Sequence, residues 1–585
     1  MRFAPIVSTA ALALVLSGCA TRQAGSEEIV LTGDKARAES QSAMDAADES
    51  ANIVVAGRAS GSPPSYASPP PPPPVMAAPM APNTLSPSSR GYKIARERGV
   101  RAYIPSIIVP ADPGNERYDG KAVSPVHLTA SDPVSTFSVD VDTGAYANSR
   151  RFLSQGQMPP ADAVRSEELI NYFRYDYPLP ATREAPFSVT TDVAATPWNP
   201  ATRLLRIGLR GYDLPRSARP PANLVFLVDV SGSMGEPDKL PLVKTALIGL
   251  ADQLGPHDTV SIVVYAGAAG LVLPATGDKP EIVSALDRLS AGGSTAGGAG
   301  LQLAYQVARD NFIKGGVNRI LLATDGDFNV GVSDPKALIA MVEKERDAGV
   351  TLTTLGFGQG NYNEAMMEQV ADHGNGNYAY IDTALEARKV LAEQMSSTLF
   401  TIAKDVKIQV EFNPAKVAQY RLLGYENRAL REEDFNNDKV DAGDIGAGHQ
   451  VTAIYEIVPA GATGWIEPRR YGDTGPVAAG KGSELAFVKL RYKLPDGTTS
   501  RLIERAVPAS LLASAAAPRG DMAFATAVAA FGQKLRGDPL LGNLTYAGIA
   551  ALADGQRDYY RQEFAKLVAI AGSLDTREGG AVASR

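Results

Sequence analysis

Between residues 223 and 405 the apolar positions switch repeatedly between two spacings. Leu224-Val-Phe-Leu-Val-Asp229 is a continuous apolar run rich in β-branched residues, the pattern of a strand covered on both faces. Segments 259–265, 319–324, 351–356 and 377–381 read the same way. Between them, 239–254, 280–289, 298–311, 335–348, 364–371 and 385–397 place apolar residues three or four apart, which predicts helices. Regular strand–helix alternation predicts a doubly wound α/β sheet with helices on both faces.

The texture differs on either side. Upstream, 135–142 alternates like a strand, 143–153 and 160–172 have helical spacing, and 187–194 and 204–209 read as strands, before the Pro-rich stretch 212–221. Downstream, 406–412, 420–423, 450–457 and 484–492 resemble antiparallel strands. A last stretch, 521–574, is helical, with Phe524, Val528, Phe531 and Leu535 spaced to pack on the body of the protein. The chain therefore reads as multidomain: a central α/β domain over 222–405, an N-terminal α+β region over 91–221, and a C-terminal β-rich and helical region over 406–585.

Residues 1–18 carry a basic start and an apolar run over 4–17, shorter than the roughly 20 residues of a spanning helix and typical of a signal peptide. Leu16-Ser-Gly-Cys19 resembles the lipobox of bacterial lipoproteins. That resemblance implies cleavage before Cys19, a diacylglycerol on its thiol and, with Ala20 next, the outer membrane. Several acyl chains at about 0.8 kcal/mol per buried methylene anchor a protein stably. Residues 19–90 then read as the lipidated Cys19 and a disordered tether, whose unbroken prolines 69–74 favour extended polyproline II.

Composition removes several function classes. With 57 basic and 64 acidic residues and a net charge of −7, there is no broad basic field for nucleic acid. Cys19 is the single cysteine, which excludes an intramolecular disulfide and thiolate-rich metal sites. His127, His257, His373 and His449 are far apart in sequence and form no zinc motif, so they are expected to be structural or solvent-facing. Asp140 and Asp142 are expected to be the polar face of a strand and a helix cap.

The chemistry concentrates where the first α/β strand ends, in Asp229-Val-Ser231-Gly-Ser233. Ligands of doubly wound folds gather at the carboxyl ends of strands. Two further loops of the same unit add oxygen donors: Gly292-Gly-Ser294-Thr295-Ala-Gly-Gly, and Leu322-Ala-Thr-Asp325-Gly-Asp327. Carboxylates and hydroxyls form a hard set that suits Mg²⁺ or Mn²⁺ better than Cu or Zn.

This arrangement resembles the von Willebrand factor A family and its metal-ion-dependent adhesion site. The resemblance implies that Asp229, Ser231, Ser233, Thr295 and Asp325 hold a divalent cation, Mg²⁺ or else Mn²⁺ or Ca²⁺, and that an acidic side chain of a protein partner fills an open position. Ser294 could serve in place of Thr295, and Asp327 is an extra carboxylate behind the ligands. The flanks, including Phe137-Ser-Val-Asp-Val-Asp-Thr-Gly and Glu167-Glu-Leu-Ile-Asn-Tyr-Phe173, resemble bacterial YfbK-like proteins.

A hydrolase would need a placed base or nucleophile. Ser233 lacks a Gly-x-Ser-x-Gly frame, and no convincing phosphate-binding lysine accompanies Asp229. The expected function is therefore non-enzymatic: a lipid-anchored envelope protein that captures a protein partner through its metal. The alternatives are an envelope-organising lipoprotein with a non-functional site, and a metal-dependent hydrolase.

Overall fold

The run at the heart of the α/β segment forms strand Ala222–Asp229, buried along its whole length. In the computed structural model the described residues are 116–575, apart from 183, 294–297, 327–333, 361 and 468–481. The expected leader, Cys19 and tether lie outside the described residues, as do Ser294, Thr295 and Asp327.

Ala222–Asp229 lies between two parallel neighbours, Thr259–Tyr265 and Val317–Thr324. The sheet order is Tyr378–Ile381, Thr351–Phe357, Val317–Thr324, Ala222–Asp229, Thr259–Tyr265, Ala269–Thr276. Alternate side chains serve opposite faces. Leu224, Phe226 and Val228 join the cluster containing helix Leu240–Ala251, whereas Val225 and Leu227 join helices Gly298–Asp310 and Pro335–Asp347. This is the expected doubly wound domain with one addition. Ala269–Thr276 is an antiparallel edge strand paired with Thr259–Tyr265. Gly270 and Pro274 mask it in the sequence, and proline is tolerated there because an edge leaves donors unpaired.

The flanks do not form the separate regions expected over 91–221 and 406–585. They interleave. One sheet runs His127–Leu128, Val417–Leu422, Gln450–Pro459, Arg203–Gly211, Phe187–Ala195, and another runs Ala429–Leu430, Val134–Ser138, Thr401–Phe412, Glu484–Lys493, Ser500–Pro508. Each mixes strands from before and after the α/β domain, which therefore sits as an insertion in a shared frame. Helices Gly520–Leu535 and Tyr559–Leu574 cover the first sheet, with Phe524, Val528, Phe531 and Phe564 packed toward Leu204 and Ile454. No helix among the described residues is long and apolar enough to cross a membrane.

Two helices differ from expectation. The segment 160–172 is a short 3₁₀ turn, Ala161–Ala163, followed by helix Ser166–Asn171. The segment 385–397 breaks into Ala384–Arg388, a wide π turn Lys389–Glu393, and Met395–Leu399. At that turn the buried Lys389 Nζ donates to the Tyr172 carbonyl of the frame at 2.9 Å, a tertiary contact invisible to helical periodicity.

Among the described residues, the buried Arg150 and Arg165 and the largely buried Arg428 join the α/β domain to the frame. Arg150 pairs with Asp382, Glu386 and Glu563. Arg165 pairs with Glu168, Glu364 and Glu368. Arg428 pairs with Asp140, Asp142, Glu368 and Asp372. Asp140 and Asp142 are thus neither a strand's polar face nor a helix cap. The strand ends at Ser138, and both carboxylates are buried acceptors: Asp140 Oδ1 for the Asp142 amide at 2.9 Å, and Asp142 Oδ1 for the Tyr378 amide at 2.8 Å.

Candidate metal centre

Central strand Ala222–Asp229 is the switch point of the sheet. From it the chain moves first to Thr259–Tyr265 on one side and later to Val317–Thr324 on the other. Crossovers leaving in opposite directions open a crevice at the strands' carboxyl ends. Asp229 ends the first strand, and Asp325 follows the second.

Asp229 is fully buried, and protein donors hold both its oxygens. Oδ1 accepts from the Ser231 amide at 2.9 Å, and Oδ2 from the Thr324 hydroxyl at 3.2 Å. Burial, opposed by these bonds and reinforced by the negative charge of Asp325, raises its carboxyl above the ordinary range. Ser231 is buried and Ser233 exposed, with their Oγ atoms 3.1 Å apart. Two ligands at right angles on an ion with bonds of about 2.1 Å stand about 3 Å apart, so this hydroxyl pair has the bite of two adjacent positions on a small hard cation.

The third loop is tied to the first. Gly292 N donates to the Val230 carbonyl at 2.9 Å, and Gly232 N to the Gly293 carbonyl at 3.1 Å. The backbone leading toward Ser294 and Thr295 therefore starts in hydrogen-bond contact with the Asp-x-Ser-x-Ser string. Gly326 has φ +88, and a Cβ there would meet the Asn363 amide nitrogen at 2.7 Å. Glycine is thus needed for the turn that sets Asp325 beside the strand end. The structure places Asp229, Ser231, Ser233 and Asp325 at one end of the sheet. Among the described residues no group of three His, Cys, Asp or Glu side chains could hold a metal; what stands together here is two carboxylates and two hydroxyls.

Comparison with known proteins places this sequence in a family. The von Willebrand factor type A domain matches residues 223–394, a von Willebrand factor model matches 112–206, and the C-terminal region of uncharacterized protein YfbK matches 397–574. Over 477 residues the chain is 49% identical to uncharacterized protein YfbK of Escherichia coli K12, covering 79% of this chain and 82% of that protein. The chain belongs to the YfbK family. This YfbK-like chain is also 33% identical over 207 residues to uncharacterized protein sll0103 of Synechocystis, across 34% of this chain and 48% of that one. Among solved structures it is similar to a von Willebrand factor type A protein from Catenulispora acidiphila, at a TM-score of 0.36 and 17% identity over 70% of this chain and 90% of that chain.

In this YfbK-family chain one residue of the centre escaped the sequence reading. Lys239, just before helix Leu240–Ala251, donates from Nζ to Asp325 Oδ2 at 2.9 Å, with the two side chains 10% and 1% exposed. In the sequence it stands in Pro-Asp-Lys-Leu-Pro, where it reads as an ordinary polar residue at a helix start. Nothing in spacing pairs it with a carboxylate 86 positions away. The histidines fall as expected: His127 and His373 are half-exposed beside Asp132 and Glu343. Burial lowers His449 to about 3.

Proposed function

We propose that this chain is an envelope lipoprotein whose A domain binds a protein partner through a divalent cation held by Asp229, Ser231, Ser233, Thr295 and Asp325, with a carboxylate of the partner completing the shell. The observation that carries this reading is the pair of serine hydroxyls 3.1 Å apart beside the anchored Asp229, at the mouth of the switch-point crevice. Such a bound cation would supply a positive point for a carboxylate in place of water. The buried Ser231 and the exposed Ser233 fit a shell closed on the protein side and open outward. Among the described residues no nucleophile with a tied base accompanies the site, which favours binding over hydrolysis.

The deciding experiment is Mn²⁺ titration of the full chain by isothermal calorimetry. Asp229→Ala is expected to weaken binding by roughly a hundredfold or more. The double variant Ser231→Ala, Ser233→Ala, which leaves the buried carboxylate in place, is expected to do the same with an unchanged melting temperature. Parent-like Mn²⁺ affinity in the double variant would refute the site.

The anchoring part of the proposal rests on Leu16-Ser-Gly-Cys19 and has its own test. Cys19→Ser should abolish incorporation of labelled fatty acid and leave the precursor uncleaved. Labelling and mobility that match the parent would remove the lipoprotein reading while leaving the metal site untouched.

A further inference from the structure

The charges around the centre do not sum as the ligands alone suggest. Among the described ligands, Asp229 and Asp325 contribute two negative charges and the hydroxyls none. On those groups a divalent cation would be neutralised, and a partner carboxylate would gain little from Coulomb attraction. Lys239 changes the sum. Its ammonium lies 2.9 Å from Asp325 Oδ2 and is nine-tenths buried, so solvent screens it weakly.

Its position is enforced. The Lys239 amide donates to the Glu236 carbonyl at 3.1 Å, and its carbonyl accepts from the Val243 amide at 2.9 Å, fixing the backbone at the helix start. The aliphatic stem lies against Gly358, just after strand Thr351–Phe357. Gly358 has φ +71, and a Cβ there would overlap the lysine's Cγ, Cδ and Cε atoms. Three strand ends thus cooperate: one carries the hydroxyls, one carries Asp325, and one is bare so that a lysine can cross it and reach that carboxylate.

We infer that Lys239 is a built-in counter-cation of the metal centre, which weakens the hold on the divalent ion and leaves the loaded site with the net positive charge that recruits a carboxylate. This rests on the metal-site reading above and deepens it. The ammonium and the divalent ion repel each other while the ammonium attracts the incoming carboxylate, so Lys239 acts on the two ligands with opposite signs. By linkage, metal and carboxylate then favour each other's binding to the same degree. A site tuned this way binds metal modestly alone and more tightly once a partner's acidic group is in place.

The test is Lys239→Met in the full chain, which keeps the stem over Gly358 and removes the charge. Mn²⁺ affinity is read from the electron paramagnetic resonance of the free ion. Acetate affinity for the Mn²⁺-loaded protein is read from broadening of the acetate methyl resonance. The variant should bind Mn²⁺ roughly tenfold tighter and acetate several-fold more weakly. A merely structural lysine would, when lost, loosen Asp325 and weaken both, so opposite signs are diagnostic. Mn²⁺ affinity equal to or below that of a parent that itself binds Mn²⁺ would overturn the inference and leave the site standing. A parent that binds no Mn²⁺ would overturn both.

Discussion

Replacing Arg428 with leucine should destabilise the protein by about 3–5 kcal/mol, since removing one side of a buried ion pair leaves its partners uncompensated. The guanidinium meets Asp372 at 2.6 Å, Asp142 and Glu368 at 3.1 Å and Asp140 at 3.4 Å. Glu368 and Asp372 belong to the A domain's helix Glu364–His373, whereas Asp140 and Asp142 belong to the frame. Burial and the neighbouring Asp140 and Asp372 already push the Asp142 carboxyl well above its ordinary range. Burial pushes Glu368 from 4.5 up to about 7 even with Arg165 and Arg428 opposing it.

A carboxyl raised in the fold contributes stability that is complete below its unfolded pKa and is lost as pH rises through the folded one. For Glu368 that window runs from 4.5 to about 7. Without Arg428 it extends upward, so the deficit of the variant should be larger at about pH 8 than at about pH 5. Thermal unfolding at the two pH values checks this, and a deficit that does not vary with pH would mean the arginine acts through packing alone.

The same arginine marks the limit of what the sequence discloses. The central strand, most of the helices around it and the Asp-x-Ser-x-Ser string are local patterns of apolar spacing and oxygen donors, and they appear in the structure within a few residues of where they are read. Arg428 with Asp142, or Lys239 with Asp325, are meetings of residues far apart in the chain, and no periodicity encodes them. The interleaved frame is hidden for the same reason: 135–142 reads as a strand, but nothing in it announces Thr401–Phe412 as the neighbour of the strand that forms there, Val134–Ser138. Strand Ser500–Pro508 was missed because its exposed edge carries Arg501, Glu504 and Arg505 in place of an apolar face, a pattern that protects an edge from pairing further.

Gly446→Ala is the second large effect expected, a loss of roughly 3 kcal/mol. Gly446 lies in Ile445–Gly446, which pairs with Thr401–Phe412. A Cβ there would overlap the Ser397 carbonyl oxygen and crowd that residue's Cα. The obstacle is main chain, in helix Met395–Leu399, so no rotamer change relieves it. Gly249 is the control. It lies inside helix Leu240–Ala251 with open space around its Cβ direction, and Gly249→Ala should stabilise by about 0.5–1 kcal/mol through helix propensity. Chemical denaturation of both variants measures the contrast, and a tolerated Gly446→Ala would show that this turn yields.

That turn also holds both crossings between the frame and the A domain. The chain leaves the frame past Tyr212, whose carbonyl accepts from the Gly448 amide at 2.9 Å, and returns at Phe400, whose carbonyl accepts from the Ala447 amide at 2.8 Å. Departure and return are thus pinned to neighbouring residues of one turn. In topological terms the A domain is a cassette: the chain could be spliced at that turn without opening either frame sheet, and a different domain with adjacent ends could occupy the same socket. The present cassette is held in its socket by a shared apolar cluster, by Lys389 on the Tyr172 carbonyl, and by the ion pairs of Arg150, Arg165 and Arg428, so any replacement would have to bring carboxylates for those three arginines.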